Sequence, residues 1–484
     1  MSTTNSLALL TDLYQLTMAY GYWKLGRSEQ RSVFHLFFRK PPFGGGYAVA
    51  AGLGQVLEFL AEFSFDDEDI EYLATLEGND GEPLFDSGFL EYLGQLRLTC
   101  DVDAIPEGTV VFAHEPLLRV TGPIIQCQIL ETALLNIINF QTLIATKAAR
   151  ICGAAGGDSV LEFGLRRAQG IDGALSASRA AFIGGCAATS NVLAGKRYGI
   201  PVKGTHAHSW VMSFENETEA FEGYADAMPN NCVFLVDTYD TLEGVRKAIE
   251  VGKRLRQRGH EMVGIRLDSG DLCRLSIDAR KLLDEAGFPD SAIVASNDLD
   301  ESIISRLKKN GARIAVWGVG TKLSTAYDQP ALGGVYKLGA IINEEGEWIP
   351  KVKLSEQAIK TSIPGVLQVR RFEDGNTALM DVIYDEVSGM DSSHTYVDLV
   401  EAVRREQFPA NATGKDLLVA ALRSGGVVLE GESIEVCRMR AQAELEGLRR
   451  GVKRIENADR YPVGLEVSLH EKRQQIIRDS RPAL

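Results

Sequence analysis

The sequence predicts an α/β protein in which a β/α barrel is combined with a second, mixed α/β domain built from both chain ends. Two observations carry this prediction. In the middle of the chain, short apolar runs each end in a cluster of polar and glycine residues. These clusters recur at intervals near the ~30 residues that a strand and its return helix need. The two flanking segments do not share this rhythm.

Six apolar runs are the predicted barrel strands. They are residues 159–164, 201–203, 232–236, 263–267, 292–295 and 314–316. Runs that are apolar throughout are typical of a parallel sheet covered on both faces. Polar clusters after every run favour a barrel, whose strand ends converge at one mouth. In a doubly wound open sheet, the alternative, only the strands near the switch point need such clusters.

The segments between the later strands have helical periodicity. Apolar residues fall on one face of residues 242–255, and Gly259 follows as a stop signal. A second helix ends before Gly287, and Asp298 is the predicted N-cap of a third, which closes at Gly311.

The flanks predict the second domain. Residues 1–130 contain a helix near 11–25 and a strand near 33–39. Residues 339–484 begin with strand-like runs, with turns at 344–346 and 374–375, and are interpreted as helical and charged from Gly414 onward. The predicted domains are therefore 1–130, the barrel at 131–338, and 339–484.

Charge and composition exclude several function classes. The chain has 484 residues and a formal net charge of −15. A nucleic acid or an anionic membrane calls for a basic surface, so neither is the expected partner. The apolar segment 124–144 is interrupted by polar residues, which indicates a buried helix rather than a membrane span. Seven scattered cysteines and an N-terminus without a secretory pattern predict a cytoplasmic protein.

The strand ends supply an unusual set of polar residues. They are Arg166, Arg167, His206, His208, Asp237, Asp240, Arg266, Asp268, Asp271, Ser296, Asn297 and Gly318–Thr321. Arginine side chains grip phosphate or carboxylate groups, and backbone N–H groups with a threonine hydroxyl cradle a phosphate. Carboxylates of Asp237, Asp268 and Asp271 could hold Mg²⁺ directly or through water. The mixture suits a phosphorylated, metal-chelating substrate.

Each of these residues also has a structural interpretation. An aspartate after a strand is commonly a helix N-cap, and a lone histidine is commonly a core residue. A Gly-Val-Gly-Thr sequence also fits a tight turn. The basic stretch at 253–258 lies at a predicted helix C-terminus, where cations favour the helix dipole, and is interpreted as a solvated face.

Several segments resemble the nicotinate phosphoribosyltransferase family. They are residues 10–20, 37–45, 162–170, 204–209, 266–272, 296–297 and 332–338. The resemblance implies an irregular barrel of the type II phosphoribosyltransferase kind and a homodimer with shared active sites. It implies that nicotinate and phosphoribosyl pyrophosphate yield nicotinate mononucleotide and pyrophosphate, with Mg²⁺ and with ATP as co-substrate, on the way to NAD.

The resemblance also implies residue roles. His208 corresponds to the histidine that ATP phosphorylates, and Arg266 to the arginine that binds the nicotinate carboxylate. Tyr14, from the neighbouring subunit, and Phe163 sandwich the pyridine ring, with Thr205 beside it. The remaining correspondences are Arg166 as a phosphate ligand, Ser296, Asn297, Gly318, Gly320 and Thr321 as the cradle for the sugar and its 5′-phosphate, and Asp237 and Asp268 as ligands of ribose hydroxyls or Mg²⁺.

Other functions stay open on the sequence. A nicotinamide-using relative on the same fold carries an aspartate near residues 182–186, where this chain has Cys186, so the acid is favoured. Quinolinate phosphoribosyltransferases are shorter and lack the phosphohistidine motif. A non-catalytic homologue that binds metabolites is a further alternative. An unrelated barrel lyase would need a Schiff-base lysine at a strand end, for which Lys203 is the candidate.

Overall fold

The computed structural model describes residues 7–354, 361–391, 395–401, 403–408, 411–429 and 431–480. The chain forms two compact units, one from Met1–Thr142 with Ala331–Leu484 and the other from Leu143–Pro330. Within the described ranges, no helix is both long and apolar enough to cross a membrane.

The strands are numbered along the chain. They are β1 Arg31–Phe38, β2 Ala48–Val49, β3 Asp101–Ala104, β4 Val110–Val111, β5 Leu118–Pro123, β6 Ser159–Glu162, β7 Ala188–Thr189, β8 Val233–Leu235, β9 Gly264–Leu267, β10 Ala292–Ala295, β11 Val316–Val319, β12 Gly334–Ile342, β13 Trp348–Pro350, β14 Leu367–Asp374, β15 Thr377–Asp385, β16 Thr395–Asp398, β17 Arg405–Gln407, β18 Thr413–Asp416, β19 Val419–Arg423, β20 Gly426–Val427 and β21 Val463–Glu466.

The helices are numbered in the same way. They are α1 Leu13–Lys24, α2 Leu53–Glu62, α3 Asp67–Ala74, α4 Ser87–Gln95, α5 Ile124–Ile129, α6 Glu131–Ala155, α7 Ile171–Ile183, α8 Val192–Tyr198, α9 His208–Met212, α10 Glu217–Ala227, α11 Thr241–Gln257, α12 Leu272–Glu285, α13 Glu301–Lys309, α14 Thr321–Ser324, α15 Ile434–Gly447 and α16 Val467–Asp479. Single 3₁₀ turns cover Pro42–Gly44 and Leu165–Arg167.

The first unit contains two large sheets. One has the order β13-β12-β1-β5-β3-β19-β20 and is antiparallel throughout. The other has the order β17-β16-β21-β15-β14-β18, with β15 and β21 parallel. The predicted turns near 344 and 374 connect the hairpins β12–β13 and β14–β15.

The prediction of a helical region from Gly414 onward is wrong. Four strands, β18 to β21, lie there, and among the described residues of that region only α15 and α16 are helical. The strands form because β18 pairs with β14 and β19 pairs with β3, partners far away in sequence. Charge and local periodicity do not show such pairing, so tertiary contacts override the local pattern.

The second unit is built on a six-stranded parallel sheet with the order β7-β6-β11-β10-β9-β8. Consecutive strands are neighbours except β7 and β8, which stand at the two ends of the order, and the last strand, β11, pairs with the first, β6. Val202 adds one parallel bridge to Thr189, beyond β7. Within residues 143–330, all described, no ladder joins the Val202 segment to β8. There the Leu235 N–H donates to Nε2 of His206 over 3.2 Å.

Two predicted strands need correction. The run at 201–203 contributes only the bridge at Val202, and the run at 314–316 becomes a strand that begins at Val316 and continues to Val319. Gly318 therefore lies inside a strand rather than in the loop after it. Because glycine has no side chain, the Phe163 ring can lie against the strand at this position. A search for apolar runs does not detect this need for glycine.

The helices between these strands begin at aspartate caps. Asp240 and Asp271 accept the backbone N–H groups of residues 243 and 274, which starts α11 and α12. The prediction of Asp298 as the third cap is wrong, because the Asp300 side chain accepts the Ile303 N–H over 2.7 Å. Helices α11 and α12 bury an apolar side, which includes Val245, Leu255 and Leu283.

Candidate active site

A cleft of about 650 Å³ lies at the carboxyl ends of the parallel strands, wholly within the second unit. It is lined by Phe163, Arg166, Arg167, Ser190, Gly204, Thr205, His206, Ala207, Arg266, Asp268, Ser296, Asn297, Asp298, Gly318, Gly320 and Thr321. Strand order explains the convergence, since parallel strands bring all their carboxyl ends to one edge. The structure thus brings together most of the residues singled out in the sequence.

Phe163 and Gly318 form one wall of the cleft. A Cβ atom on Gly318 would lie 2.7 Å from Cδ2 and 2.8 Å from Cε2 of Phe163. The aromatic ring therefore rests directly on the backbone of β11. The Phe163 N–H donates to the Val319 carbonyl over 2.8 Å, which extends the pairing of β6 with β11 by one residue.

Glu162, at the end of β6, organises this wall from inside the protein. The side chain is buried, and Oε2 accepts hydrogen bonds from the hydroxyls of Ser178 (2.9 Å) and Thr189 (2.6 Å). Oε1 accepts the Gly164 N–H. This carboxylate fixes the turn that leads into Arg166. The sequence analysis missed Glu162, although a glutamate inside a strand buried on both faces was a detectable signal.

Arg266 projects from β9 into the cleft. Its Nη1 donates to the hydroxyl of Thr205 and, over 3.3 Å, to the His206 carbonyl. Nη2 lies 3.8 Å from Oδ1 of Asp268, and Nε is buried without a hydrogen-bond partner. Burial lowers the pKa of Arg266. One edge of the guanidinium is thus held by the protein, while the other keeps donor capacity for a ligand.

His208, the first residue of α9, is held between three polar side chains. Its Nδ1 lies 3.1 Å from Oγ1 of Thr238, and its Nε2 lies 3.7 Å from Oδ2 of Asp268 and 4.0 Å from Oδ1 of Asp237. The side chain is 38% exposed. A ring with one nitrogen held and the other accessible is oriented for chemistry at Nε2.

The two carboxylates near His208 are held from behind. Oδ2 of Asp237 accepts the Asp268 N–H (2.8 Å) and the Ser269 hydroxyl (2.7 Å). The Asp237 side chain is only 1% exposed, and yet its Oδ1 has no hydrogen-bond partner. Oδ1 of Asp268 accepts the Ser296 hydroxyl. Each carboxylate therefore keeps one oxygen on the His208 side.

His206 has a structural position. The Leu235 N–H donates to its Nε2, and its ring packs edge-on against Tyr224 with centroids 4.8 Å apart. Burial, with Arg266 and His208 nearby, lowers its pKa to about 4. The ring is therefore neutral near pH 7 and spans the interruption between Val202 and β8.

Two aspartates of the predicted set are excluded from the cleft. Asp271, a predicted Mg²⁺ ligand, and Asp240 both use their side chains as helix caps. The basic stretch at 253–258 is a solvated face, because each of its cations has an acidic partner. These pairs are Lys253–Glu250, Arg254–Glu222, Arg256–Glu261 and Arg258–Asp226.

Asn297 has an unusual backbone in the cleft. Its φ is +124°, outside the regions that residues other than glycine normally adopt, and its side-chain oxygen accepts the Asp298 N–H over 2.8 Å. Such conformations cost about 1–3 kcal/mol and cluster at ligand sites. Thr321 begins the short helix α14 on the same side of the sheet.

Arg166 and Arg167 are the exposed cations of the cleft. Neither forms an ion pair with a residue of the described chain, and both follow Gly164 in a 3₁₀ turn. A Cβ atom on Gly164 would lie 2.4 Å from the Ser324 side chain, so this turn needs glycine.

The interpretation of Cys186 is wrong. Cys186 is buried two residues before β7, next to Ala187, whose N–H donates to Val160 near the start of β6. This is the amino end of the strands, opposite the cleft. Ser190 is the residue of this region that lines the cleft, and the sequence analysis missed it. Lys203, the lysine of the lyase alternative, is exposed and is not among the lining residues.

Tyr14 belongs to the first unit. It lies on α1 and is 49% exposed. Its neighbours on that helix include the exposed apolar residues Leu13 and Met18, and Leu7 and Leu10 just before it are exposed as well.

Three models of one protein family match most of the chain. The nicotinate phosphoribosyltransferase N-terminal domain matches residues 9–139, the family model matches 159–377, and the C-terminal domain matches 368–473. The chain belongs to the nicotinate phosphoribosyltransferase family. It is thus an enzyme of this family, and the resemblance seen in the sequence is confirmed.

Individual members of this family are similar to the chain over most of its length. The chain is 45% identical to nicotinate phosphoribosyltransferase of Bacillus subtilis, across 98% of this chain and 96% of the relative. The human enzyme named nicotinate phosphoribosyltransferase is 38% identical over 78% of this chain and 79% of its own. The crystal structure of human nicotinic acid phosphoribosyltransferase superimposes with a TM-score of 0.84 at 32% identity, covering 96% of this chain and 99% of that one.

A more distant structure shows the fold alone. Nicotinate-nucleotide pyrophosphorylase from Pyrococcus furiosus superimposes with a TM-score of 0.69 at 22% identity, over 92% of this chain and 97% of that one. The mixed α/β fold predicted from the sequence is therefore confirmed at this level.

Proposed function

We propose that this enzyme transfers a phosphoribosyl group from phosphoribosyl pyrophosphate to nicotinate, coupled to ATP hydrolysis through phosphorylated His208. The observation that carries the proposal is the pairing of Arg266 and His208 at one edge of the sheet, both next to Asp268. Arg266, an arginine suited to a carboxylate, lines the cleft. His208, a histidine oriented for phosphorylation, lies next to the lining residue Asp268 rather than in the lining itself.

His208 is the proposed phosphoryl acceptor. With the Nδ1 proton directed to Thr238, the Nε2 lone pair is free to attack the γ-phosphorus of ATP. The new N–P bond replaces the bond from phosphorus to the β-bridging oxygen, and ADP leaves. Water later takes the phosphoryl group and returns the neutral imidazole. The two carboxylates at 3.7 and 4.0 Å hold the ring and stabilise positive charge on it.

Nicotinate is proposed to bind between Arg266 and Phe163. The carboxylate takes the Nε–Nη2 edge of Arg266, which forms no hydrogen bond with the described chain, while Thr205 holds Nη1. The pyridine ring stacks on Phe163, whose ring is supported by Gly318. The pyridine nitrogen needs no general base, because its lone pair is already free to attack C1 of the ribose as pyrophosphate departs.

The phosphoribosyl group is proposed to bind across the remaining strand ends. Arg166 supplies charge to a phosphate, and Ser296, Asn297, Gly318, Gly320 and Thr321 surround the sugar and its 5′-phosphate. The strained backbone at Asn297 supports this location, as does the absence of ion pairs at Arg166 among the described residues.

Mg²⁺ fits the two aspartates beside His208. The buried Oδ1 of Asp237 has no partner, and Oδ2 of Asp268 lies on the same side. Hard oxygen donors are what Mg²⁺ prefers, and it commonly binds through one or two carboxylates with water completing the shell. When bound, the ion would neutralise phosphate charge.

A homodimer with shared active sites is proposed from the surface of α1. The exposed residues Leu13, Tyr14 and Met18 form an apolar strip that water solvates poorly, and a second copy would bury it. Tyr14 of that copy would then supply the second face of the pyridine sandwich. Light scattering of the wild type and Tyr14→Ala tests the dimer, and dimers are expected in both. Steady-state kinetics test the role of Tyr14, and a raised KM for nicotinate is expected in the variant.

The second unit is proposed to be an irregular barrel that forms the catalytic domain, with the first unit as the mixed domain. The cyclic strand order and the pairing of β11 with β6 support closure, with His206 bridging the interrupted seam. The expected compartment is the cytoplasm.

A product assay tests the proposed reaction. Purified protein receives phosphoribosyl pyrophosphate and Mg²⁺ with nicotinate or nicotinamide, with and without ATP. Nicotinate mononucleotide from the acid, formed faster with ATP, is expected. Product from nicotinamide would favour the nicotinamide-using alternative, and no product from either would favour the metabolite-binding homologue.

An Arg266→Ala variant tests the carboxylate contact. Losing the fork should raise the KM for nicotinate by about tenfold or more, the worth of one charge-assisted interaction. Arg274→Ala, on the outer helix α12, is the control. Unchanged kinetics in Arg266→Ala would remove the assignment.

A further inference from the structure

The first unit contains a second cavity, of about 750 Å³, that the proposed reaction does not use. Helix α16 supplies one side, and the segments after β1 and β4 supply others. Much of the wall is apolar, from Phe112, Ile363, Leu399, Val463 and Ile477. The volume is in the range of small-molecule sites, which are about 300–1,000 Å³.

Two arginines bring positive charge to this cavity. Arg473 is oriented by hydrogen bonds from Nε to the Ser362 carbonyl (3.1 Å) and from Nη2 to the Thr361 carbonyl (2.8 Å). These are neutral partners, and burial lowers the pKa of Arg473. The Cζ atom of Arg39 lies 5.9 Å from the centroid of the Phe37 ring. Arg39 forms no hydrogen bond or ion pair with the described chain.

The other charged residues of the lining are already neutralised. Asp459 pairs with Arg454 at 3.0 Å, and Arg460 pairs with Asp398. The arginines at 39 and 473 are therefore an uncompensated pair of cations. Both side chains are only partly buried, and an anion bound between them would be stabilised by two positive charges.

Neutral hydrogen-bonding groups complete the lining. His114 has a left-handed backbone with φ of +73°, and its ring nitrogens have no hydrogen-bond partner among the described residues. Burial, with Arg473 and Arg39, lowers its pKa to about 4, so the ring is neutral near pH 7 and offers one donor and one acceptor. The Gln474 amide likewise has no partner in the described chain.

We propose that this cavity is a nucleotide-binding site, with the phosphate held by Arg39 and Arg473 and the base against the apolar wall. Two guanidinium groups match the charge and geometry of a phosphate monoester. The cavity is far larger than inorganic phosphate needs, and its apolar wall suits a flat heterocycle whose edge His114 and Gln474 bind. Every residue of this site lies in the first unit, whereas the cleft proposed for the reaction lies in the second.

Calorimetric titration of the full-length protein with AMP tests the proposal. Binding is expected in the wild type, with adenosine and inorganic phosphate each at least tenfold weaker. Arg39→Gln and Arg473→Gln should each weaken AMP binding tenfold or more, the loss for one charge-assisted hydrogen bond. Arg478→Gln, an exposed arginine on the same helix, is the matched control and should bind like the wild type.

Other outcomes would overturn the assignment. AMP binding that survives both substitutions, or is absent in the wild type at millimolar concentration, would remove the site. Loss of binding in Arg166→Ala/Arg167→Ala but not in Arg39→Gln would place AMP in the cleft of the second unit. Inorganic phosphate bound as tightly as AMP would exclude a nucleotide. Because Arg39 makes no hydrogen bond with the described chain, Arg39→Gln should fold and tests the site even if Arg473→Gln does not fold.

Discussion

The contact between Phe163 and Gly318 leads to a sharp prediction for Gly318→Ala. The added methyl group would lie 2.7 Å from the Phe163 ring, whereas ordinary contact begins at 3.4 Å. The ring must therefore move by about 0.7 Å, because the strand that carries residue 318 is paired on both sides and moves less easily.

The size of the effect follows from this displacement. Forcing a methyl group into a packed wall costs about 1–3 kcal/mol. Misplacing a substrate-positioning group by about 1 Å costs up to about 100-fold in rate. We expect kcat/KM for nicotinate to fall by about 10- to 100-fold, mainly through KM, because Phe163 is proposed to stack on the pyridine ring.

Gly204→Ala is the matched control. Gly204 lines the same cleft, but a Cβ atom there meets nothing within 4 Å. Steady-state formation of nicotinate mononucleotide, with circular dichroism to verify folding, measures both variants. Wild-type kinetics in a folded Gly318→Ala, or an equal loss in Gly204→Ala, would refute the reasoning.

Three further predictions concern groups held by defined partners. Thr238→Val removes the 3.1 Å partner of the His208 ring and should lower the yield of acid-labile phosphohistidine from labelled ATP about five- to tenfold, with an unchanged yield contradicting the assignment. Glu162→Ala removes the acceptor of the Gly164 N–H and of the Thr189 hydroxyl, while Ser178 keeps the Ala174 carbonyl. The variant should lower the free energy of unfolding in urea by roughly 2 kcal/mol or more, whereas a loss below about 1 kcal/mol would count against the network. Burial and the neighbouring Asp381 raise the pKa of Glu115 well above its ordinary value. Its stabilising effect is therefore present below the ordinary pKa and is lost as pH rises through the raised value. Urea midpoints followed from about pH 5 to about pH 9 should decline less steeply in Glu115→Gln than in the wild type.

The sequence predicted the middle of the fold well because the relevant signals are local. Apolar runs, helix periodicity and glycine stops lie within a few residues of the elements they define. The failures concern long-range partners. The strands β18 and β19 carry weak local signals and form because β14 and β3 pair with them. In the same way, the position of Cys186 depends on which end of β7 faces the cleft.

The aspartates after the strands illustrate the same limit within the site. Asp237, Asp240 and Asp271 are the same residue type at similar places in their loops. Two of them cap the next helix, a contact three residues away that the sequence can show. Asp237 instead accepts hydrogen bonds from residues 31 and 32 positions later. Only the packing of neighbouring strands separates these outcomes.

The interruption between Val202 and β8 has a consequence for movement. The N–H groups of residues 204–207 donate no hydrogen bond to the described chain, so this loop adjusts without breaking any strand pairing. The loop leads directly into His208, the residue that we propose accepts and then releases a phosphoryl group. These amides should exchange with deuterated solvent much faster than those of β9 and β10. If His208 is phosphorylated as proposed, this loop is therefore the part of the unit expected to adjust to the added volume, while the pairing of β9 and β10 is kept.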